Sequence, residues 1–209
     1  MVFGGEDETN ELTCNAHVSI RSIMEELRIK VRHRVHLSGI RQTDKPALLE
    51  HLHLKDVYNT TLNIPHPYFA AHADSWIQKR IGHTERFGRE VSFAIRDAEA
   101  NLIGVVGADS LELGTSHKAE IGYWLAKPFW GQGIMTDAVG AYVEYAFGER
   151  KLLKLMAHTF EFNVGSARVL EKNGFKLEGH LRKHFIKDGE LLDARLYGLL
   201  KEDLTIRKG

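Results

Sequence analysis

The stretch AEIGYWLAKPFWGQGIMTDAV, residues 119–139, decides the fold of this chain because its pattern changes twice along its length. It begins as a strand, passes through a loop with two glycines, and continues with apolar residues at helical spacing. A helix that starts directly after such a loop has backbone N–H groups without partners. Together with the helix dipole, these donors bind phosphate. The stretch therefore predicts a phosphate-binding turn between a strand and a helix.

The two glycines of this loop support the prediction only in part. Gly131 and Gly133 carry no Cβ, so the backbone can approach a ligand closely. The dinucleotide fingerprint Gly-x-Gly-x-x-Gly is absent because Thr136 occupies its last position, and no Walker A motif occurs. A lone Gly-x-Gly is common in tight turns, so the phosphate interpretation needs support from other motifs. The expected donors are the N–H groups of Gln132, Gly133, Ile134 and Met135.

The elements around this stretch predict an α+β single domain with a mixed sheet. Asp188-Gly189 is a hairpin signal between the last two strands. A loop with two prolines is expected at residues 59–68. Strands are predicted at residues 30–40, 91–96, 102–111, 119–126, 152–160, 185–187 and 195–200. Helices are predicted at residues 45–53, 69–81, 134–147 and 163–173.

Residues 1–30 are predicted to be an N-terminal extension, and residues 31–209 the domain. Within the extension, SIRSIMEELR (residues 19–28) places apolar residues at helical spacing and predicts a short amphipathic helix. This helix is expected to be a lid or packing element, with a dimer contact as the alternative. The chain is accordingly expected to be a monomer or a homodimer.

The composition argues against several classes of function. Lys plus Arg equals Asp plus Glu, 28 each, so no nucleic-acid partner is expected. Cys14 is the only cysteine, which excludes an intramolecular disulfide and fits a reducing cytoplasm. No apolar run approaches the roughly 18 residues of a membrane span, so no membrane partner is expected. The 12 histidines show no metal-ligand spacing, so no metal site is expected.

Three motifs in order give the chain a specific resemblance. They are AEIGYWL (residues 119–125), PFWGQGIMT (residues 128–136) and EFNVGSARVLEKNGFKLEG (residues 161–179), and they resemble the GNAT superfamily of N-acetyltransferases. The segment NIPHPY (residues 63–68) is also similar to one branch of it. The similarity is closest to the branch of ribosomal-protein N-terminal acetyltransferases, the RimJ/RimL type, and runs over residues 35–204. The resemblance implies a single GNAT-like domain with helices on both faces of the sheet. It also implies that the sheet is splayed between the fourth and fifth core strands.

The resemblance further implies a cosubstrate and an acceptor. Acetyl-CoA would transfer its acetyl group to a primary amine that attacks directly in a ternary complex. The branch points to a protein or peptide N-terminal amine. Relatives that acetylate polyamines or antibiotics leave a small-molecule amine as the alternative. The loop at residues 59–68 and the strands after Gly179 should line the acceptor side, and they contain no cluster of acidic residues.

The cofactor contacts implied by the family fall on three places. Pantetheine would pair with backbone at the end of the strand, pyrophosphate would bind the glycine loop, and an asparagine on the next helix would contact the cofactor. The family motif usually begins with Gln or Arg where this chain has Pro128, which weakens any side-chain contact to phosphate. The residues matched are Trp124, Leu125, Ala126, Gly131, Gln132, Gly133, Ile134, Met135, Thr136 and Asn163.

Two residues are the catalytic candidates. Glu120 matches the general-base glutamate of the superfamily's histone acetyltransferases and is expected to be partly buried in its strand; a structural glutamate is the alternative. Ser166 matches a serine of the RimL-like branch, near the leaving thiolate. Many superfamily members have a tyrosine at the position of Leu170, which this chain lacks; the alternative for Ser166 is a serine that satisfies helix N–H groups. The N–H of Leu125 is the expected oxyanion donor.

Other residues and functions stay open at this point. The branch has a glutamate near Phe185, for which His184 is a candidate substitute. Cleft lining and core packing are equally expected for Trp124, Phe129 and Trp130. A non-catalytic acyl-CoA-binding module is one rival function, and a dinucleotide-binding protein is a weaker one. The secondary candidates for catalysis are Tyr123, His158, His184 and Tyr197.

Overall fold

The computed structural model describes residues 28–31, 35–108 and 116–205. The helix predicted at residues 19–28 lies outside the described residues, apart from Arg28. Cys14 lies outside them as well. The division into an extension (1–30) and a domain (31–209) therefore stays a prediction.

One mixed sheet of eight strands organises the fold. The strands are β1 (Ile29–Lys30), β2 (His36–Ser38), β3 (Ser92–Arg96), β4 (Leu102–Ala108), β5 (Lys118–Leu125), β6 (Lys154–Phe160), β7 (Lys176–Lys187) and β8 (Glu190–Leu200). Their order is β1-β2-β3-β4-β5-β6-β8-β7. All neighbours are antiparallel except β5 and β6, which run parallel. The α+β architecture with a mixed sheet is confirmed.

Helices cover both faces of this sheet. They are α1 (Lys45–Leu52), α2 (Lys55–Thr60), α3 (Ala70–Phe87), α4 (Ile134–Gly148), α5 (Val164–Lys172) and α6 (Lys201–Thr205). None of the helices in the described part of the chain is long and apolar enough to cross a membrane.

Alternation along β5 divides the core into two halves. Ile121 and Leu125 point to the face that carries α4 and α5, where they pack with residues such as Leu170. Trp124 points to the opposite face and packs with residues of α1 and α3 such as Ile77. Successive strand residues face opposite sides, so one strand contributes to both cores. Burial of each large apolar side chain stabilises the fold by about 1.5–3 kcal/mol.

The N-terminal part of the structure differs from the prediction in three places. Where one strand is predicted over residues 30–40, the described residues form two short antiparallel strands, Ile29–Lys30 and His36–Ser38, with Ile29 opposite Leu37. Helix α2 was not predicted, because its six residues bury only Val57 and give no periodic signal. Helix α3 also extends beyond residue 81 and ends at Gly88, whose φ of 64° suits a left-handed cap.

The C-terminal hairpin is longer than predicted. The turn at Asp188-Gly189 is confirmed, with φ of 52° and 81°, the positive values that a tight hairpin turn requires. The two strands flanking it extend over Lys176–Lys187 and Glu190–Leu200. Most side chains of β7 are exposed, so its sequence lacks the alternation that marks a half-buried strand. Helix α6 was not predicted.

A buried ion pair fastens the first strands to the start of α1. Arg96 and Asp44 are 2% and 3% exposed, and Arg96 Nη1 lies 2.7 Å from Asp44 Oδ1. Arg96 also donates from Nε to Ser38 Oγ at 2.6 Å and from Nη2 to the carbonyl of Gly39 at 3.0 Å. The guanidinium is therefore well satisfied although it is out of water.

Candidate active site

The two parallel strands at the centre of the sheet part soon after they meet. Their pairing covers Lys118 to Glu120 of β5 opposite Lys154 to Met156 of β6, and it ends there. Beyond this point the two strands no longer pair with each other, although β5 continues to Leu125 beside β4 and β6 continues to Phe160 beside β8. The fourth and fifth strands of the sequence prediction are β5 and β6, so the expected splay lies here.

The backbone of β5 beyond this point offers hydrogen-bonding groups to the gap. Ala126, directly after β5, donates from its N–H to the carbonyl of Ile103 in β4 at 2.8 Å, so this position of the ladder is hydrogen-bonded. Because such pairs alternate along an antiparallel ladder, Tyr123 and Leu125 direct their N–H and C=O groups away from β4 and into the gap. The carbonyl of Leu125 already accepts from Trp130 Nε1 at 2.6 Å. The N–H of Leu125, the expected oxyanion donor, thus faces the gap.

The glycine loop has the conformation that its sequence demands. Gly131 and Gly133 have φ of 75° and 81°, in the left-handed region that favours glycine. The first helical hydrogen bond of α4 runs from Asp137 N to Gly133 O at 3.1 Å. The N–H groups of the helix residues before Asp137 therefore have no intrahelical partner. This end of α4 can bind an anion.

A contact from the next helix holds this loop in place. Asn173, at the end of α5, donates from Nδ2 to the carbonyl of Thr136 at 2.9 Å. Its Oδ1 lies so close to Gly140 that a Cβ there would come within 2.9 Å. The start of α4 therefore packs directly against the end of α5. This contact fixes the direction of the unpaired N–H groups at the start of α4.

A single cleft of about 1460 Å³ runs from α3 through the gap to the glycine loop. Ten of the twelve predicted site residues line it: Glu120, Trp124, Leu125, Gly131, Gly133, Ile134, Met135, Thr136, Asn163 and Ser166. Ala126 is 1% exposed, and its N–H and C=O are bonded to Ile103 and Phe129, so the structure does not bring it to the cleft. Gln132 is exposed and donates to the carbonyl of Pro128 at 2.9 Å. The aromatic residues Trp124, Phe129 and Trp130 all line the cleft; Trp124 and Phe129 also pack against the core, whereas Trp130 is 42% exposed.

Glu120 is paired with a histidine in the cleft. Its Oε1 lies 2.7 Å from Nδ1 of His158, which extends from the neighbouring strand β6. The expectation that Glu120 is partly buried is wrong, because 53% of its side chain is exposed, whereas His158 is only 16% exposed. Among the described residues, Oε2 of Glu120 accepts no hydrogen bond. The histidine thus holds one carboxylate oxygen and leaves the other towards the cleft.

Ser166 is paired with a tyrosine on the other face of β5. The hydroxyls of Ser166 and Tyr123 lie 2.8 Å apart, and Tyr123 also donates to the carbonyl of Ser166 at 3.2 Å. Desolvation raises the pKa of Tyr123, and its hydrogen bond to Ser166 partly opposes this rise. Asn163 caps α5 by accepting from the N–H of Ser166 at 3.1 Å. Asn163 and Ser166 therefore have a structural role at the start of α5 in addition to any functional one.

Of the remaining secondary candidates, His184 is exposed and contacts the cleft residue His158, whereas Tyr197 lies in the protein interior. His184 stacks on His158 with ring centroids 5.1 Å apart, and Phe185 lines the cleft between them and Phe160. Tyr197 is 1% exposed and donates to Glu171 Oε1 at 3.2 Å. Tyr197 does not line the cleft.

The cleft residues that the sequence did not predict include two basic side chains of α5. Arg168 and Lys172 extend from α5 and line the same cleft as the glycine loop. They are four residues apart, which places them on one helix face. A basic pair at this spacing in α5, the second helix after the glycine loop, was the available signal, but surface pairs of this kind are common and carry no specific prediction.

Three comparisons agree with this geometry. Residues 34–176 match the family model described as Acetyltransferase (GNAT) domain. The probable N-acetyltransferase YjcK of Bacillus subtilis (strain 168) is 39% identical over 126 residues, 60% of this chain and 68% of that protein. The ribosomal protein uS5-alanine N-acetyltransferase of Escherichia coli (strain K12) is 28% identical over 132 residues, 61% of this chain and 68% of that protein. The ribosomal L7/L12 alpha-N-protein acetyltransferase RimL, solved in complex with coenzyme A, shares the fold with a TM-score of 0.73, at 21% identity over 83% of this chain and 97% of that one.

Proposed function

The chain belongs to the GNAT acetyltransferase family, and within it we propose that the acceptor is the N-terminal amine of a protein or peptide. The amine attacks acetyl-CoA directly in a ternary complex. The observation that carries this proposal is the single cleft that passes through the gap between β5 and β6, because both substrates can reach the gap from opposite faces of the sheet. The uS5-alanine N-acetyltransferase among the relatives, named for a ribosomal-protein substrate, favours the same acceptor class.

The cosubstrate of the chain is acetyl-CoA, and the residues of the cleft fit it. The free N–H groups at the start of α4 suit the pyrophosphate, and Arg168 and Lys172 add positive charge nearby. Thr159 lines the gap, and its buried Oγ1 has no hydrogen-bond partner among the described residues. Such a group is satisfied when a polar ligand enters. Acetyl-CoA supplies an acetyl group activated as a thioester.

The charge of the cleft favours a peptide amine over a polyamine. Glu120 is the only carboxylate among the described residues that line it, whereas Lys79, Arg168 and Lys172 contribute positive charge. A polyamine or aminoglycoside carries several cations and needs several carboxylates to replace its hydration. A peptide N-terminus brings one amine, for which one carboxylate is sufficient. A small amine with a single cation is the alternative that this argument leaves.

In the proposed mechanism Glu120 is the general base. A primary amine is mostly protonated at neutral pH, so a proton must leave before its lone pair can attack. Oε2 of Glu120 takes this proton, directly or through one water, while His158 donates from Nδ1 to Oε1 and orients the carboxylate. His158 is thus a positioning residue, held in turn by its stack on His184.

The hydroxyl pair on the other face of β5 is placed to serve the leaving sulfur. Ser166 donates a hydrogen bond to the leaving sulfur, and Tyr123, whose hydroxyl lies 2.8 Å from that of Ser166, passes a proton through Ser166 to the thiolate. Solvent then reprotonates Tyr123 and takes the amine proton from Glu120. Leu170 on α5 stands where many superfamily members have a tyrosine, and it is 0% exposed and offers no hydroxyl. In this arrangement the tyrosine hydroxyl comes from β5 instead. The backbone N–H of Leu125 faces the gap and serves as the oxyanion donor.

Incubation with acetyl-CoA and a library of short peptides, read by mass spectrometry, tests the acceptor. Peptides with free N-termini should gain one acetyl group, and the same peptides with formylated N-termini should gain none. Spermidine and single-amine metabolites serve as the small-molecule arm. Acetylation of the small amines alone would show that the acceptor is a small-molecule amine and not a peptide. Acetyl-CoA binding without modification of any amine would support a non-catalytic acyl-CoA-binding module.

A further inference from the structure

Three side chains of metal-ligand type meet where β6 ends, outside the reacting groups of the cleft. Glu161 directly follows β6, His180 lies in β7 and Asp193 lies in β8. Their candidate ligand atoms all lie within 4.8 Å of one another. Nε2 of His180 is 3.0 Å from Oε1 of Glu161 and 4.0 Å from Oδ2 of Asp193. No ligand spacing in the sequence indicated this cluster, because its members come from three strands.

The register of the sheet holds the three side chains on one face. Glu161 N donates to Asp193 O at 3.0 Å, so these residues are direct neighbours across the β6–β8 ladder. His180 is opposite Arg195, which follows Asp193 by two residues and therefore points to the same side. The cluster thus stands on three adjacent strands, a rigid base for a ligand set.

We propose that Glu161, His180 and Asp193 bind a divalent transition-metal ion, with Zn²⁺ as the expected occupant. One imidazole and two carboxylates are ligands that zinc accepts at about 2.0–2.2 Å, with water completing a tetrahedral site. Asp193 Oδ1 accepts from the N–H of Lys183 at 2.7 Å, which orients the carboxylate and leaves Oδ2 towards His180. The side chains are between 32% and 46% exposed, so an ion can enter from solvent.

A neighbouring cation provides a way to test the site in both directions. Arg195 Nη2 lies 4.0 Å from Glu161 Oε1, on the same face of the sheet. Its positive charge opposes the approach of a metal ion and competes for the carboxylate. Removal of this charge should therefore tighten metal binding, while removal of any of the three ligands should weaken it.

The position of the cluster links it to the cleft through the backbone. Glu161 stands between Phe160 and Phe162, and both of these line the cleft. A metal ion on Glu161 would fasten the turn that precedes α5 to the β7–β8 hairpin. Bound metal should raise the melting temperature of the protein, with or without acetyl-CoA, because it stabilises only the folded chain.

The experiment uses the full chain after treatment with EDTA, titrated with ZnCl₂ by calorimetry and with CoCl₂ by visible absorption. The expected result is about one equivalent bound, and an absorption band typical of tetrahedral cobalt. The variants are His180→Ala, Asp193→Asn and Arg195→Gln. The matched control is His117→Ala, which removes an exposed histidine away from the cluster.

Metal affinity should fall by about tenfold or more in His180→Ala and Asp193→Asn, by analogy with the loss of metal-site contacts. It should rise in Arg195→Gln and stay unchanged in the control. Equal zinc affinity in the wild type and His180→Ala, or a loss in the control, would place the ion elsewhere and overturn the proposal. Melting temperatures in EDTA show whether each variant folds. If a ligand variant does not fold, the tightening in Arg195→Gln decides alone, and unchanged affinity there counts against the site.

Discussion

Replacement of Glu120 by glutamine should abolish most of the activity while the site stays assembled. Glutamine has nearly the same size, and its amide oxygen can still accept from Nδ1 of His158 across the 2.7 Å contact. The change therefore removes basicity and little else. General-base catalysis contributes about 10²- to 10⁴-fold. Because 53% of the Glu120 side chain is exposed and water can partly replace it, we expect the lower end, about a 10²-fold loss in kcat, or about 2.7 kcal/mol.

Variants of His158 separate positioning from proton transfer. His158→Asn places an amide N–H near the position of Nδ1, so it should keep the hold on Glu120 and lose less than about tenfold. His158→Ala removes the hydrogen bond; its effect should be about tenfold, since a charge-assisted bond is worth about 1.5–3 kcal/mol before discount for exposure. The double variant Glu120→Gln with His158→Ala should lose no more than Glu120→Gln alone, because residues that act as a unit are not additive.

The assay measures thiol release from acetyl-CoA with a free peptide, with kcat and KM determined separately. Acetyl-CoA affinity and the melting temperature are controls, and both should stay near the wild-type values in all variants. Glu120→Gln within about threefold of the wild type, combined with about 10²-fold losses in both His158 variants, would make His158 the base and refute the assignment. Additive losses in the double variant would show that the 2.7 Å contact has no role in catalysis.

Three further changes test the phosphate loop and the scaffold. Gly131→Ala should weaken acetyl-CoA binding in calorimetry, because alanine at a φ of 75° costs about 1–2 kcal/mol although no atom lies within 4 Å of the new Cβ. Asp44→Asn should destabilise the fold by about 3–5 kcal/mol in urea, because it leaves the Arg96 charge buried and unpaired, whereas Asp74→Asn, in an exposed pair, should cost less than about 1 kcal/mol. Burial raises the pKa of Glu90. The contribution of this carboxyl group to the free energy of unfolding is therefore present at low pH and is lost as pH rises through the folded-state pKa. In the same assay Glu90→Gln should be more stable than the wild type near pH 8 and equal to it near pH 4.

The parts of the site that the sequence predicted are those written in consecutive residues. A strand, two glycines and an apolar helix follow one another, so the loop at Gly131 follows from local rules. The contacts between Glu120 and His158, and between Tyr123 and Ser166, join residues 38 and 43 positions apart. They depend on which strands become neighbours, and no local pattern reports that.

Exposure was the other quantity that local patterns could not supply. Glu120 sits between two buried residues of β5 and was expected to be partly buried with them, yet it lies where the sheet opens and its side chain meets water. Only residues 185–187 of the long β7 were predicted, for the related reason that a strand pairing mainly through its backbone with β8 needs no apolar face. A hairpin that extends past the core therefore carries almost no sequence signal.

The alternation of β5 gives the proposed mechanism its direction. Glu120 is an even step from Trp124 and shares the face of α1 to α3, whereas Tyr123 is an odd step away and meets Ser166 on the face of α5. The base and the proposed proton donor therefore stand on opposite sides of one strand. In the proposed mechanism Glu120 takes a proton from the amine on one face, and the tyrosine–serine pair gives a different proton to the sulfur on the other, so we expect the reacting carbon to lie in the plane of the sheet. Only a sheet that parts after Glu120 has room for it there.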